Sequence, residues 1–296
     1  MKNPIFKGFG TALVTPMTPH GVDYDALARL IDFQIEEGIN ALVAVGTTGE
    51  SATLSQEERK EVIRFTVKRA DGRVPVVAGV GTNNTEHVID FTKSACDDGA
   101  DGLLAVTPYY NKATQRGLIA HYTAVADVAT KPLIVYNVPS RTGCNILPET
   151  DAVLADHERI VAVKEASGNI SQIAKVAELC GDKMDIYSGN DDQIVPVLSL
   201  GGKGVISVLS NLVPKETSDM CHLFWEGKTK EALELQLKYL PLVDALFSEV
   251  NPIPAKAAMA AMGYCENALR LPLTTMERKN EENLFACMRK VGLLED

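Results

Sequence analysis

Eight short apolar runs rich in β-branched residues recur along the chain, each separated from the next by enough residues for a helix. They are GTALVT (10–15), ALVAV (41–45), VPVVAGV (74–80), DGLLAVT (101–107), PLIVYNV (132–138), IVAVKEA (160–166), DIYSG (185–189) and GVISV (204–208). Runs without polar alternation suit strands buried on both faces, as parallel sheets require. Parallel neighbours need long crossovers, and the intervening segments have helical patterning. DYDALARLIDFQIEEG (23–38) carries apolar residues at helical spacing and stops at Gly38. SQEERKEVIRFTVKRA (55–70) opens with Ser55 and Glu58 in capping-box spacing. Segments 85–99, 113–129 and 170–181 follow the same logic, as does 191–202, which Pro196 weakens.

Eight strands alternating with helices predict an α/β chain folded as a (β/α)8 TIM barrel over residues 1–227. An open doubly wound sheet is the alternative. Against it, GVGTNN (79–84) places Asn84 where a dinucleotide-binding turn needs its third glycine. Past residue 227 the strands stop. Segments 228–250, 253–263 and 274–292 read as helices, so 228–296 is expected to be a C-terminal helical extension.

Composition narrows the partners. The chain has 296 residues with a net charge of −10 and a pI near 5.1. An acidic surface argues against nucleic acid and anionic membranes. The N-terminal MKNPIFKGFG lacks the apolar stretch of a signal peptide, and no run approaches the length of a membrane span, so a cytoplasmic location is expected. The six cysteines and five histidines are scattered, with no paired-ligand spacing, so no metal is expected.

In a (β/α)8 barrel the chemistry sits at the C-terminal ends of the strands. Those ends carry GTTGES (46–51), TPYYNK (107–112), YNVPSRTG (136–143), Lys164 with Glu165, and SGND (188–191). Lys164 closes a run of apolar residues. A lysine at a strand exit can hold its head in solvent. One inside a barrel mouth is desolvated, and its lowered pKa makes it a nucleophile toward carbonyls. The convergence of polar strand ends favours the second reading. GTTGE is either an ordinary turn or a cradle for a small carboxylate. Tyr136, on the neighbouring strand, is either a core tyrosine or a proton shuttle for a Lys164 adduct. Arg141 is either a solvated loop charge or a clamp on a second carboxylate. Tyr109 and Tyr110 are packing aromatics or site residues.

GTALVTP, GTTGES, TPYYNK, YNVPSRTG, VAVKEASGN, SGNDD and GVISV together resemble the dihydrodipicolinate synthase family of the N-acetylneuraminate lyase superfamily, over essentially the whole chain. The resemblance implies a metal-independent lyase without cofactor, in which Lys164 forms an imine with pyruvate and the adduct condenses with aspartate 4-semialdehyde. It implies that Tyr136 moves the protons and that Thr47 links it to Tyr110, which arrives from a partner subunit of a homotetramer. Thr48 would bind the pyruvate carboxylate, Gly189 and Ile206 would line the pocket, and Arg141 would receive the semialdehyde carboxylate. Sialic acid lyases and keto-deoxy sugar aldolases of the same superfamily share the lysine and tyrosine and are the alternative. A silent keto-acid-binding barrel and a metal-dependent aldolase are weaker readings.

Family members inhibited by lysine hold it near the positions of Ser51, Ala52, Leu54, Asn83 and Tyr109. Here His87 replaces the acidic residue of that site, and Gln56 and Arg59 replace its histidines. The resemblance therefore implies weak or absent lysine inhibition.

Overall fold

The computed structural model describes residues 4–295. Its centre is a closed parallel barrel. The strands are β1 (Gly8–Ala12), β2 (Ala41–Ala44), β3 (Val76–Gly79), β4 (Gly102–Val106), β5 (Leu133–Asn137), β6 (Ile160–Glu165), β7 (Asp185–Ser188) and β8 (Gly204–Ser207). They pair in chain order, and β8 closes on β1 with Gly10 opposite Ile206. Each expected strand is present and ends short of the expected run, and β1 begins two residues earlier than expected, at Gly8.

Strand periodicity sorts the side chains. Residues two apart share a face. Val135, Val163, Ile186 and Val205 join the large core between barrel and helices. Ile134, Tyr136, Ala162, Tyr187 and Ile206 belong to a second cluster inside the barrel. Lys164 has the parity of Ala162, so it points inward too. The register sets it opposite Tyr136 on one side and Tyr187 on the other.

The outer layer begins with α1 (Tyr24–Glu36), α2 (Gln56–Ala70), α3 (Thr85–Asp97) and α4 (Gln115–Val128). Ser55 and Glu58 form the reciprocal capping box at the start of α2. YNVPSRTG is not all loop: it contains a short helix, α5 (Pro139–Thr142), with Pro139 opening it and Gly143 closing it at φ 67°. A further short helix, α6 (Pro148–Leu154), precedes β6, and α7 (Ile170–Cys180) follows it. The helix expected over 191–202 is split. A 3-10 turn (Asp191–Gln193) leads into α8 (Ile194–Ser199), which contains Pro196. A helix not expected from the sequence, α9 (Pro214–Trp225), completes the barrel's ring.

The C-terminal region is helical: α10 (Thr229–Leu246), α11 (Ile253–Ala261) and α12 (Arg278–Lys290). Leu242, Leu246, Ala258 and Met259 are buried in the same core as the barrel helices. The connection between α10 and α11 runs back to the barrel mouth, and that return positions the site.

Candidate active site

β6 delivers Lys164 into the barrel with only 5% of its surface exposed. Its ammonium stands 4.4 Å from the centre of the Tyr136 ring. Burial penalises the charged amine and pulls its pKa down to about 8; Asp191 opposes that fall, and Arg141 adds to it. Room for the lysine stem depends on Gly189. A Cβ there would lie 2.5 Å from the Ala166 Cβ and 3.1 Å from the Lys164 Cε. Ile206 is fully buried on β8, in the same interior cluster as Tyr136.

Thr47 and Tyr136 line the same small space, and burial raises the Tyr136 phenol's pKa while Arg141 and Thr47 draw it back. Thr47 lies in the turn after β2, which is tightly wound. Gly49 N–H donates to the Gly46 carbonyl and Glu50 N–H to the Thr47 carbonyl. Val45 and Glu50, flanking the turn, adopt left-handed φ values of 56° and 55°. For β-branched Val45 this is an outlier that the surroundings must enforce. β3 crowds it from outside: a Cβ on Gly79 would lie 2.1 Å from the Val45 carbonyl oxygen.

The mouth is a cavity of about 250 Å³ bounded by Thr47, Ser51, Tyr109, Arg141 and Asn251, among others. A smaller space beneath it is lined by Gly46, Thr47 and Tyr136. Lys164 lines neither; it lies against the Tyr136 ring. Arg141 projects from α5 with its pKa lowered by burial, and its guanidinium donates to the Asn251 carbonyl. Thr48 is buried, and its hydroxyl accepts from Asn251 Nδ2 at 2.9 Å.

The chain thus brings Lys164, Tyr136, Thr47, Gly189 and Ile206 together, with Arg141 at the mouth and Thr48 buried behind Asn251. It does not bring Tyr110. That residue is 89% exposed, has a φ of 72°, and is not among the residues lining the cavity.

Three features escaped the reading of the sequence. Asp191 is buried beside Lys164, and its Oδ2 accepts from the Val208 and Leu209 N–H groups at 3.0 and 2.9 Å. Glu50 pairs with Lys256 at 2.5 Å, both side chains fully buried. Asn251 reaches Thr48 from the C-terminal region. No local pattern marks the last two, because their partners lie some two hundred residues away. Asp191 stands in a strand-end motif that was recognised without a role for this carboxylate.

Among the described residues, no group of three or more His, Cys, Asp or Glu is placed to hold a metal, and no helix is long and apolar enough to cross a membrane. A barrel holding a buried, acidified lysine beside a tyrosine has the equipment of a class I aldolase, which activates a carbonyl as an imine. The comparisons narrow that class. Residues 5–291 match the dihydrodipicolinate synthetase family. A 4-hydroxy-tetrahydrodipicolinate synthase of Caldicellulosiruptor saccharolyticus is 56% identical over 98% of both chains. One from Alkaliphilus oremlandii is 51% identical over 98% of this chain and all of its own. The dihydrodipicolinate synthase structure from Thermotoga maritima superposes with a TM-score of 0.96 at 44% identity, over 98% of this chain and 100% of that one. The chain belongs to the dihydrodipicolinate synthetase family.

Proposed function

We propose that the protein condenses pyruvate with aspartate 4-semialdehyde to 4-hydroxy-tetrahydrodipicolinate, with Lys164 as the imine-forming amine. The observation that carries the reading is Lys164 itself: buried, acidified and set against the ring of Tyr136, which shares a small space with Thr47. Full-length relatives sharing one name support the choice of substrates.

The neutral amine attacks the pyruvate ketone, and loss of water leaves an iminium. That electron sink acidifies the methyl group, and removal of one proton gives an enamine. The enamine carbon attacks the aldehyde. The amine of the semialdehyde then displaces Lys164 and closes the ring. Each step moves a proton, which gives Tyr136 and Thr47 their task. Thr48 holds the pyruvate carboxylate, Gly189 and Ile206 shape the pocket, and Arg141 faces the second carboxylate. The chemistry needs neither metal nor organic cofactor. A substrate panel separates this reading from a sugar-acid aldolase: turnover of sialic acid, with none of aspartate semialdehyde, would reverse it.

Arg141→Ala is expected to raise the KM for aspartate semialdehyde roughly 10- to 100-fold, and that for pyruvate much less. Equal effects on both would make Arg141 a support for the Asn251 segment alone.

A cytoplasmic homotetramer belongs to the same reading, with Tyr110 entering the site of a partner subunit. Its exposure and left-handed backbone favour this, since a solvated tyrosine gains nothing from such a conformation. Tyr110→Phe should lower kcat about 10- to 100-fold with the assembly intact by sedimentation. An unchanged kcat would remove Tyr110 from the relay.

Inhibition by lysine should be weak or absent. His87 lines a groove together with Lys60 and Lys93, against the single carboxylate of Asp90. Arg59, with its guanidinium over the Phe91 ring, adds charge nearby. A cationic inhibitor meets repulsion there. Steady-state assays with millimolar lysine at neutral pH check this; strong inhibition below 1 mM would contradict it.

A further inference from the structure

A threonine hydroxyl carries one hydrogen and can turn to donate or to accept. To hold a carboxylate, Thr48 must donate. Its protein partner decides which way it turns. Asn251 Nδ2 donates to Thr48 Oγ1 at 2.9 Å, and both side chains are buried. An amide NH2 has no lone pair to offer as an acceptor, so the Thr48 hydrogen is directed away from Asn251.

The backbone of Asn251 is held, while its side-chain Oδ1 is buried without a hydrogen-bond partner among the described residues. Its backbone carbonyl accepts from the Arg141 guanidinium. Two residues further on α11 begins, and Lys256 of that helix pairs with Glu50 of the Thr47–Glu50 turn. Asn251 also lines the mouth cavity alongside Thr47 and Arg141. One residue of the C-terminal region therefore touches both of the groups assigned to substrate carboxylates.

We propose that Asn251 is a positioning residue for pyruvate: its side-chain amide fixes the Thr48 hydroxyl as a donor to the pyruvate carboxylate. The inference rests on the function proposed above and on Thr48 as the carboxylate ligand.

Asn251→Asp tests it, because aspartate has nearly the same shape but offers only acceptors. Thr48 must then donate to the aspartate and is lost to pyruvate. The readout is the pyruvate concentration that half-saturates borohydride trapping on Lys164, which needs no second substrate. It should rise about 10- to 100-fold in Asn251→Asp, while kcat at saturating pyruvate changes by less than about threefold. The control is Thr48→Val, which removes the hydroxyl at constant shape. In that background Asn251→Asp should add less than about twofold. Losses that multiply would show that the new charge acts on pyruvate directly, and the inference would be overturned. If Asn251→Asp does not fold, Asn251→Ala carries the same cycle, with a rise of about 3- to 10-fold expected in the Thr48 background alone. Wild-type enzyme that traps no pyruvate on Lys164 would overturn the functional reading itself. Trapping with multiplying losses overturns only the role of Asn251.

Discussion

Borohydride reduction in the presence of pyruvate is expected to leave one reduced pyruvyl group on the protein, at Lys164, and to abolish activity. With a pKa of about 8, roughly one amine in ten is neutral at pH 7. At the ordinary lysine value the share would be roughly one in three thousand. Trapping should therefore slow about tenfold for each pH unit below 7. Lys164→Arg should lose about a thousandfold or more in kcat, since a guanidinium stays protonated. Mass spectrometry of the labelled peptide decides the first point; label on a different lysine would sink the mechanism.

The same burial has a cost that can be measured separately. The folded pKa of Lys164 lies below the unfolded value, so the unfolded chain binds more protons between pH 8 and 10.5. Stability contributed at this position rises with pH through that window, and below pH 8 the full penalty stands. Lys164→Met should therefore be inactive yet more stable at pH 7, by up to about 3 kcal/mol. A less stable Lys164→Met would mean that the carboxylate of Asp191 or bound water already repays the burial.

The second large effect is expected at Lys256. Its ammonium is fully buried, pairs with Glu50 and donates to the Ala268 carbonyl at 2.6 Å. Breaking such a pair leaves a carboxylate buried without a counter-charge, at a cost of about 3–5 kcal/mol. Lys256→Met should lower Tm by roughly 5–15 °C. It should also weaken pyruvate trapping, because Glu50 closes the turn that carries Thr47 and Thr48. Replacing both partners, Glu50→Gln with Lys256→Met, should recover most of the loss. Calorimetry of Lys256→Met and of the double variant is the check; a Lys256→Met as stable as wild type would show that Glu50 is solvated.

Much of this architecture could be read before folding was considered. The eight barrel strands announce themselves because a strand buried on both faces leaves a local, unbroken apolar mark. Lys164, Tyr136 and Thr47 were legible as strand-end residues, since the barrel makes strand ends converge. The helix bearing Arg141 reads as a loop in the sequence, because four residues opened by a proline show no period. The buried face of α9 mixes Thr217 and Ser218 with Met220 and Cys221, so it leaves no unbroken apolar stripe in the sequence. Asn251 and Lys256 were invisible for a different reason. Their meaning lies in contacts with Thr48 and Glu50, and nothing near them in sequence records those partners. Tyr110 also stands at a strand end, but a single chain leaves it in solvent, so only the family likeness suggests a role for it.

The return of the C-terminal segment to the barrel mouth also orders events during synthesis. Thr48, Glu50 and Arg141 leave the ribosome long before Asn251, Lys256 and Arg270. Arg270 fastens the same segment to Glu58 at the start of α2. Until those later residues are in place, the turn that carries Thr48 lacks the contacts with Asn251 and Lys256 that brace it.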